Sequence, residues 1–77
     1  MKIEILGPGC FKCTKLYENV NEALKITGMN AEVVKIEDIK KITDYGVMMT
    51  PGLVIDGEVK AVGKLLSTDE IKMIILS

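Results

Sequence analysis

The chain has 77 residues, 48% of them hydrophobic, which is one small domain with enough apolar side chains for a core. Its 10 Lys+Arg against 11 Asp+Glu leave a net charge of −1, and it has one Phe, two Tyr and no Trp. That excludes the basic patch of a nucleic-acid or anionic-membrane binder and the stacked rings of a single-strand binder, and the absence of His excludes Ser-His and Cys-His catalysis and His-ligated metals.

Lys2-Ile3-Glu4-Ile5-Leu6 reads as a short strand, ended by Gly7-Pro8-Gly9. From Cys13, apolar residues recur at Leu16, Tyr17, Val20, Ala23 and Leu24, one face of a helix that Gly28 stops. Ala31–Ile36 is a second strand, and its Val33-Val34 pair suits a strand covered on both sides. Asp38 is an N-cap for a short helix carrying Ile39 and Ile42, which Gly46 ends. Leu53-Val54-Ile55 and Glu58–Val62 flank Asp56-Gly57, the dipeptide of a two-residue hairpin turn. Ser67 and Glu70 form a capping box before Ile71, Ile74 and Ile75, the apolar stripe of a last helix.

The order β-α-β-α-β-β-α predicts an α/β fold over residues 1–77, a single domain built on a four-stranded mixed sheet. The first two strands, joined by a helix, should be parallel, the last two an antiparallel hairpin, with helices on both faces. No run reaches the roughly 18 apolar residues of a membrane span. Met1–Gly9 alternates apolar and charged residues, unlike a signal peptide, so a cytoplasmic location is expected.

Both cysteines fall in Cys10-Phe11-Lys12-Cys13, where the first strand hands over to the first helix. A sulfur there faces unpaired backbone N–H groups and the positive end of the helix dipole, which favour thiolate over thiol. Lys12 adds a charge of the same sense. Cys10, at the exposed edge of the turn, is the expected nucleophile, and Cys13, heading the apolar face, the expected resolving thiol. In a reducing compartment such a pair is redox-active or metal-binding rather than a structural staple. Two sulfurs without an imidazole cannot close a four-ligand zinc site in one chain, so a metal would need a second protomer.

Cys-Phe-Lys-Cys after a first strand, with Thr50-Pro51 directly before a β-hairpin, resembles the thioredoxin/glutaredoxin superfamily. The stretch Gly46–Gly57 is similar to the small thioredoxin-like redox-active disulfide proteins of archaea and bacteria, and the resemblance covers the whole chain. It implies the minimal thioredoxin-like fold and a thiol–disulfide oxidoreductase that reduces protein disulfides by a dithiol/disulfide cycle, without a cofactor. It implies a cis proline at Pro51 that packs against the cysteines and occupies the space of a metal. The backbone of Thr50 would then be left to pair with an extended substrate. From the residues alone, Pro51 also reads as a trans turn-former ahead of a strand.

The chain departs from the family in places. Gly9 precedes Cys10, and Phe11-Lys12 replaces the Gly-Pro of thioredoxins, so both residues tune a redox potential that is this chain's own. Gly63 is followed by Lys64, not by the Gly-Asp pattern that holds glutathione in glutaredoxins, which argues against glutathione as a ligand. Glu4 stands where thioredoxins carry a buried carboxylate that accepts the resolving thiol's proton. As a lone charged residue on a strand, it is expected instead to face outward into solvent. Met48 and Met49 suggest an apolar rim around the cysteines, with one of the two in the core. The expected partners are protein disulfides and an upstream reductase of the thioredoxin-reductase type, acting on a monomer. The competing expectation is a non-catalytic thioredoxin-like binding module, or a dimer bridged by a metal cluster.

Overall fold

The first strand, β1 (Lys2–Leu6), is buried along four of its five residues, because it runs inside a sheet with both faces covered. The computed structural model describes residues 1–9 and 11–77. After β1 follow α1 (Phe11–Thr27), β2 (Glu32–Ile36), α2 (Ile39–Asp44), β3 (Gly52–Ile55), β4 (Glu58–Val62) and α3 (Thr68–Leu76). The strands lie in the order β2-β1-β3-β4. β1 pairs with β2 in parallel, from Lys2 opposite Glu32 to Leu6 opposite Ile36. It pairs with β3 antiparallel, from Ile3 opposite Ile55 to Leu6 opposite Gly52.

Strand alternation sorts the core into two layers. Ile3, Ile5, Leu53 and Ile55 face α1 and α3, meeting Leu16, Val20, Ala23 and Leu24 of the first helix and Ile71 and Ile75 of the second. Leu6 and Val54 face the other way, onto Ile42 of α2 and Val47 behind it. Among the described residues no helix is long and apolar enough to cross a membrane.

The turns follow from their side chains. Asp56 and Gly57 both adopt positive φ, 51° and 82°, as a two-residue hairpin demands. A bulge then falls between Leu53 and Val54 in their pairing with β4, so that Leu53 faces Ala61 while Val54 faces Val59. Lys60 is the extra residue, and the shift keeps it from standing opposite core-facing Leu53. Asp38 caps α2 by accepting from the Lys40 N–H at 2.9 Å. Ser67 Oγ accepts from the Glu70 N–H at 3.1 Å, and Glu70 Oε1 accepts from the Ser67 N–H at 3.0 Å, closing the capping box of α3. The other Glu70 oxygen pairs with Lys64 Nζ at 2.9 Å.

Glu4 corrects an expectation. It is only 7% exposed, not solvated, and its Oε1 accepts a 2.7 Å hydrogen bond from the Tyr45 hydroxyl. Alternation along β1 turns it to the α2 side, where the residue capping the end of α2 supplies the donor a buried carboxylate needs.

These two carboxylates shape the pH dependence of stability. The Ser67 backbone N–H, first, and then Lys64 hold the Glu70 carboxyl down to about 2 from its usual 4.5. A depressed folded value stabilises above the unfolded value and is lost as pH falls through the folded one. The parent should therefore lose stability between about pH 4.5 and 2, and Glu70→Gln should flatten that arm. The hydrogen bond to Glu4, with desolvation and the charge of Glu4, raises the Tyr45 hydroxyl above its usual 10.0. Its contribution is present below pH 10 and is lost as pH rises through the raised value, an arm that Tyr45→Phe should abolish while lowering stability at neutral pH. Denaturant titrations across pH would show both arms, and a profile unchanged in either variant would contradict the corresponding contact.

Candidate active site at the end of the first strand

The site is built where β1 runs out. The Gly7 N–H donates to the Ile36 carbonyl at 2.9 Å, extending the β1–β2 ladder one residue past the strand. Gly9 follows with φ +86°, and α1 begins at Phe11. Cys10, the expected nucleophile, lies outside the described residues. α1 has no acidic residue in its first turn, so the positive end of a 17-residue helix is not neutralised from within. Phe11 is 81% exposed and Lys12 is exposed beside it. Cys13 turns inward and is buried, in line with the apolar face it heads.

Gly7 lets the sulfur in. A Cβ added to Gly7 would collide with Cys13 Sγ and would stand 3.6 Å from Thr50 Cβ. The demand here is for space, because Cys13 and the Thr50 loop approach the same backbone atom from different parts of the chain. The Thr50–Pro51 peptide bond is cis, and Pro51 is fully buried. Its carbonyl accepts from the Gly63 N–H at 2.8 Å, which ties the loop to the end of β4.

The methionines before this loop are both outside the core, Met48 at 84% and Met49 at 65% exposure. The core position belongs to Val47, which packs on Ile42 and Leu6, so the apolar side chains that follow are left on the surface. Gly52, after Pro51, is needed where β3 crosses Leu6: a Cβ there would lie 3.2 Å from Val47 Cγ1 and 3.4 Å from Leu6.

Glu4 and Cys13 occupy different surroundings. Glu4 lines a cleft of about 320 Å³ with Lys2, Lys41, Asp44 and Tyr45, whereas Ile5 lines the small cavity at Cys13. The carboxylate in that cavity is Glu37, which the sequence analysis missed. The cavity, about 10 Å³, is walled by Gly7, Gly9, Cys13, Thr14, Lys35 and Glu37. Glu37 Oε2 sits over Gly9, 2.8 Å from where a Cβ would be. Lys35 reaches the other way as well, with Nζ 4.5 Å from the centroid of the Tyr17 ring. One signal could have found Glu37: it directly follows a strand parallel to β1, and the carboxyl ends of parallel strands are where α/β folds place their sites. Among the described residues no group of three or more His, Cys, Asp or Glu is placed to hold a metal ion.

Comparison with known proteins agrees with this architecture. The thioredoxin domain family matches residues 1–76. A thioredoxin of Methanothermobacter thermautotrophicus is 44% identical over 75 residues, covering 97% of each chain. A thioredoxin of Methanocaldococcus jannaschii is 43% identical over 70 residues, 91% of this chain and 80% of that one. A probable thioredoxin of Methanothermobacter marburgensis is 40% identical over 67 residues, 82% of this chain and 79% of the relative. With a mixed sheet in the thioredoxin arrangement and matches along nearly its full length, the chain belongs to the thioredoxin family and is a thioredoxin-like redox protein.

Proposed function

We propose that this chain, as one domain over residues 1–77, is a protein dithiol–disulfide oxidoreductase that works through Cys10 and Cys13. The observation that carries the proposal is the meeting at Gly7: the helix bearing Cys13 and the loop bearing Thr50 and Pro51 close on one backbone position. That places the buried sulfur of the motif beside a segment able to receive an extended chain.

In the cycle, the Cys10 thiolate attacks one sulfur of a substrate disulfide. The substrate S–S bond breaks, one substrate sulfur leaves as thiolate and takes up a proton, and a mixed disulfide remains. Cys13, as thiolate, then attacks Cys10 Sγ. The mixed disulfide breaks, the second substrate thiol is released, and both electrons have passed to the substrate while Cys10 and Cys13 form a disulfide. The substrate lies along Thr50 as a short β-bridge, with Phe11, Met48 and Met49 offering exposed apolar contacts. The helix terminus and Lys12 stabilise the Cys10 thiolate, and Phe11 shields one side of the motif. Glu4, held by Tyr45 on the far side of β1, acts on the pair only as a buried charge. An upstream reductase of the thioredoxin-reductase type would return the electrons in a cytoplasmic, reducing setting, with glutathione not required.

Three experiments bear on this scheme. Cys13→Ser should trap mixed disulfides with target proteins while Cys10→Ser traps none, as read on non-reducing gels. The reverse pattern would exchange the two roles, and trapping by neither variant would refute the cycle.

Gly7→Ala forces a methyl into Cys13 Sγ, and overpacking of this kind costs about 1–3 kcal/mol. Chemical denaturation should show that loss, together with slower reduction of a protein disulfide by dithiothreitol through this chain. Unaltered stability and turnover would mean that the close approach at Gly7 does not matter.

Lys12→Gln removes a positive charge that favours the reduced form. Lys12 is exposed, so screening holds the effect to about 0.3–1 kcal/mol. At about 30 mV per 1.4 kcal/mol, the potential should fall by roughly 6–20 mV. A redox titration against dithiothreitol measures it, and a rise would reverse the electrostatic role given to Lys12.

A further inference from the structure

We infer that Glu37 is the proton acceptor for Cys13 in the second half of the cycle, acting through a single water held in the cavity between them. The inference rests on the dithiol cycle proposed above and assigns one of its protons to a specific carboxylate.

Three observations converge on Glu37. It lines the same small cavity as Cys13, at the end of the strand that Gly7 extends. That cavity, about 10 Å³, is the size of one water molecule and has the polar partners a water requires: the Glu37 carboxylate, Thr14, Lys35 and the Cys13 sulfur. The carboxylate is also fixed in direction, because Glu37 Oε2 lies over Gly9, where any side chain on that residue would displace it. Glu4 lacks the first of these properties. Alternation along β1 gives Ile5 to the Cys13 cavity and Glu4 to the α2 side, under Tyr45.

The step balances. In the mixed disulfide, the Cys13 S–H proton passes through the water to Glu37, leaving a thiolate. The thiolate forms a bond to Cys10 Sγ, and the bond between Cys10 and the substrate breaks. The departing substrate thiolate is protonated from solvent, and the Glu37 carboxyl then returns its proton to solvent. No oxidant beyond the substrate disulfide is needed. The ionisable groups that face Glu37 across the cavity are Cys13 on α1 and Lys35 on β2.

The test uses dithiobis(nitrobenzoate) and the fully reduced chain under stopped flow. Release of the first thionitrobenzoate reports attack by Cys10, and release of the second reports resolution by Cys13. Glu37→Gln keeps the shape and the hydrogen-bonding atoms but cannot take the proton. It should leave the first phase unchanged and slow the second about tenfold or more near neutral pH, at the low end or below what a positioned general base contributes. The deficit should close as pH rises past the ordinary thiol value of about 8.5, where Cys13 ionises without help. Glu37→Asp should recover part of the second phase. An unchanged second phase in Glu37→Gln, or a deficit that persists at high pH, would overturn the inference and leave the dithiol cycle standing. A parent chain that releases no second equivalent would overturn the cycle itself and this step with it.

Discussion

The close approach at Gly7 is the constraint on which the rest of the site depends. β1 must end there, because the Gly7 N–H closes the last rung to Ile36 while its Cα is covered by Cys13 and Thr50. Three segments far apart in sequence are thereby held to a common point: the start of α1, the end of β2, and the loop entering β3. Each is backed by regular structure. α1 is anchored by Leu16, Val20 and Ala23 against β1 and β3, and the loop by the Pro51 carbonyl on Gly63. A side chain at Gly7 would push these segments apart at the place where the sulfur and the substrate strand must meet.

The same strand keeps two ionisable environments separate. Successive residues Glu4 and Ile5 leave β1 on opposite faces, so the carboxylate buried by Tyr45 and the cavity at Cys13 never share solvent or partners. In a chain this small, a second buried charge within the main core would be costly. Placing Glu4 in the thinner layer under α2, at the margin of a solvent-filled cleft, satisfies it with one hydroxyl.

What could be read from the sequence was what local chemistry decides. Asp56-Gly57, Asp38 and the Ser67–Glu70 box each act within four residues, and each forms as its side chains require. The helical stripes and the parallel and antiparallel pairings follow from periodicity and element order. What escaped the sequence depends on distant partners. Tyr45 is 41 positions from Glu4, and nothing local marks the pair. Glu37 reads as a polar residue between a strand and a cap until the β1–β2 register brings it over Gly9. The bulge at Leu53/Val54 is invisible because an unbroken Glu58–Val62 strand has the same composition. The two methionines stay outside because Val47 already fills the position beneath the loop.

A dithiol site asks opposite things of its two sulfurs. The nucleophile needs positive surroundings that keep it ionised, whereas the resolving thiol needs a base that removes its proton only when its turn comes. Both demands cannot be met by one side chain beside adjacent sulfurs. Here the first falls to the helix terminus, whose first turn carries no acid, and to Lys12 on the solvent side. The second can be supplied from another element, because the parallel pairing of β1 and β2 delivers Glu37 to the buried side of the motif, next to Cys13 and across from Lys35. The acid is absent from α1 and present on β2. That division preserves the field of the helix for one sulfur while giving the other an outlet for its proton, and it accounts for a carboxylate held over a glycine at the mouth of so small a cavity.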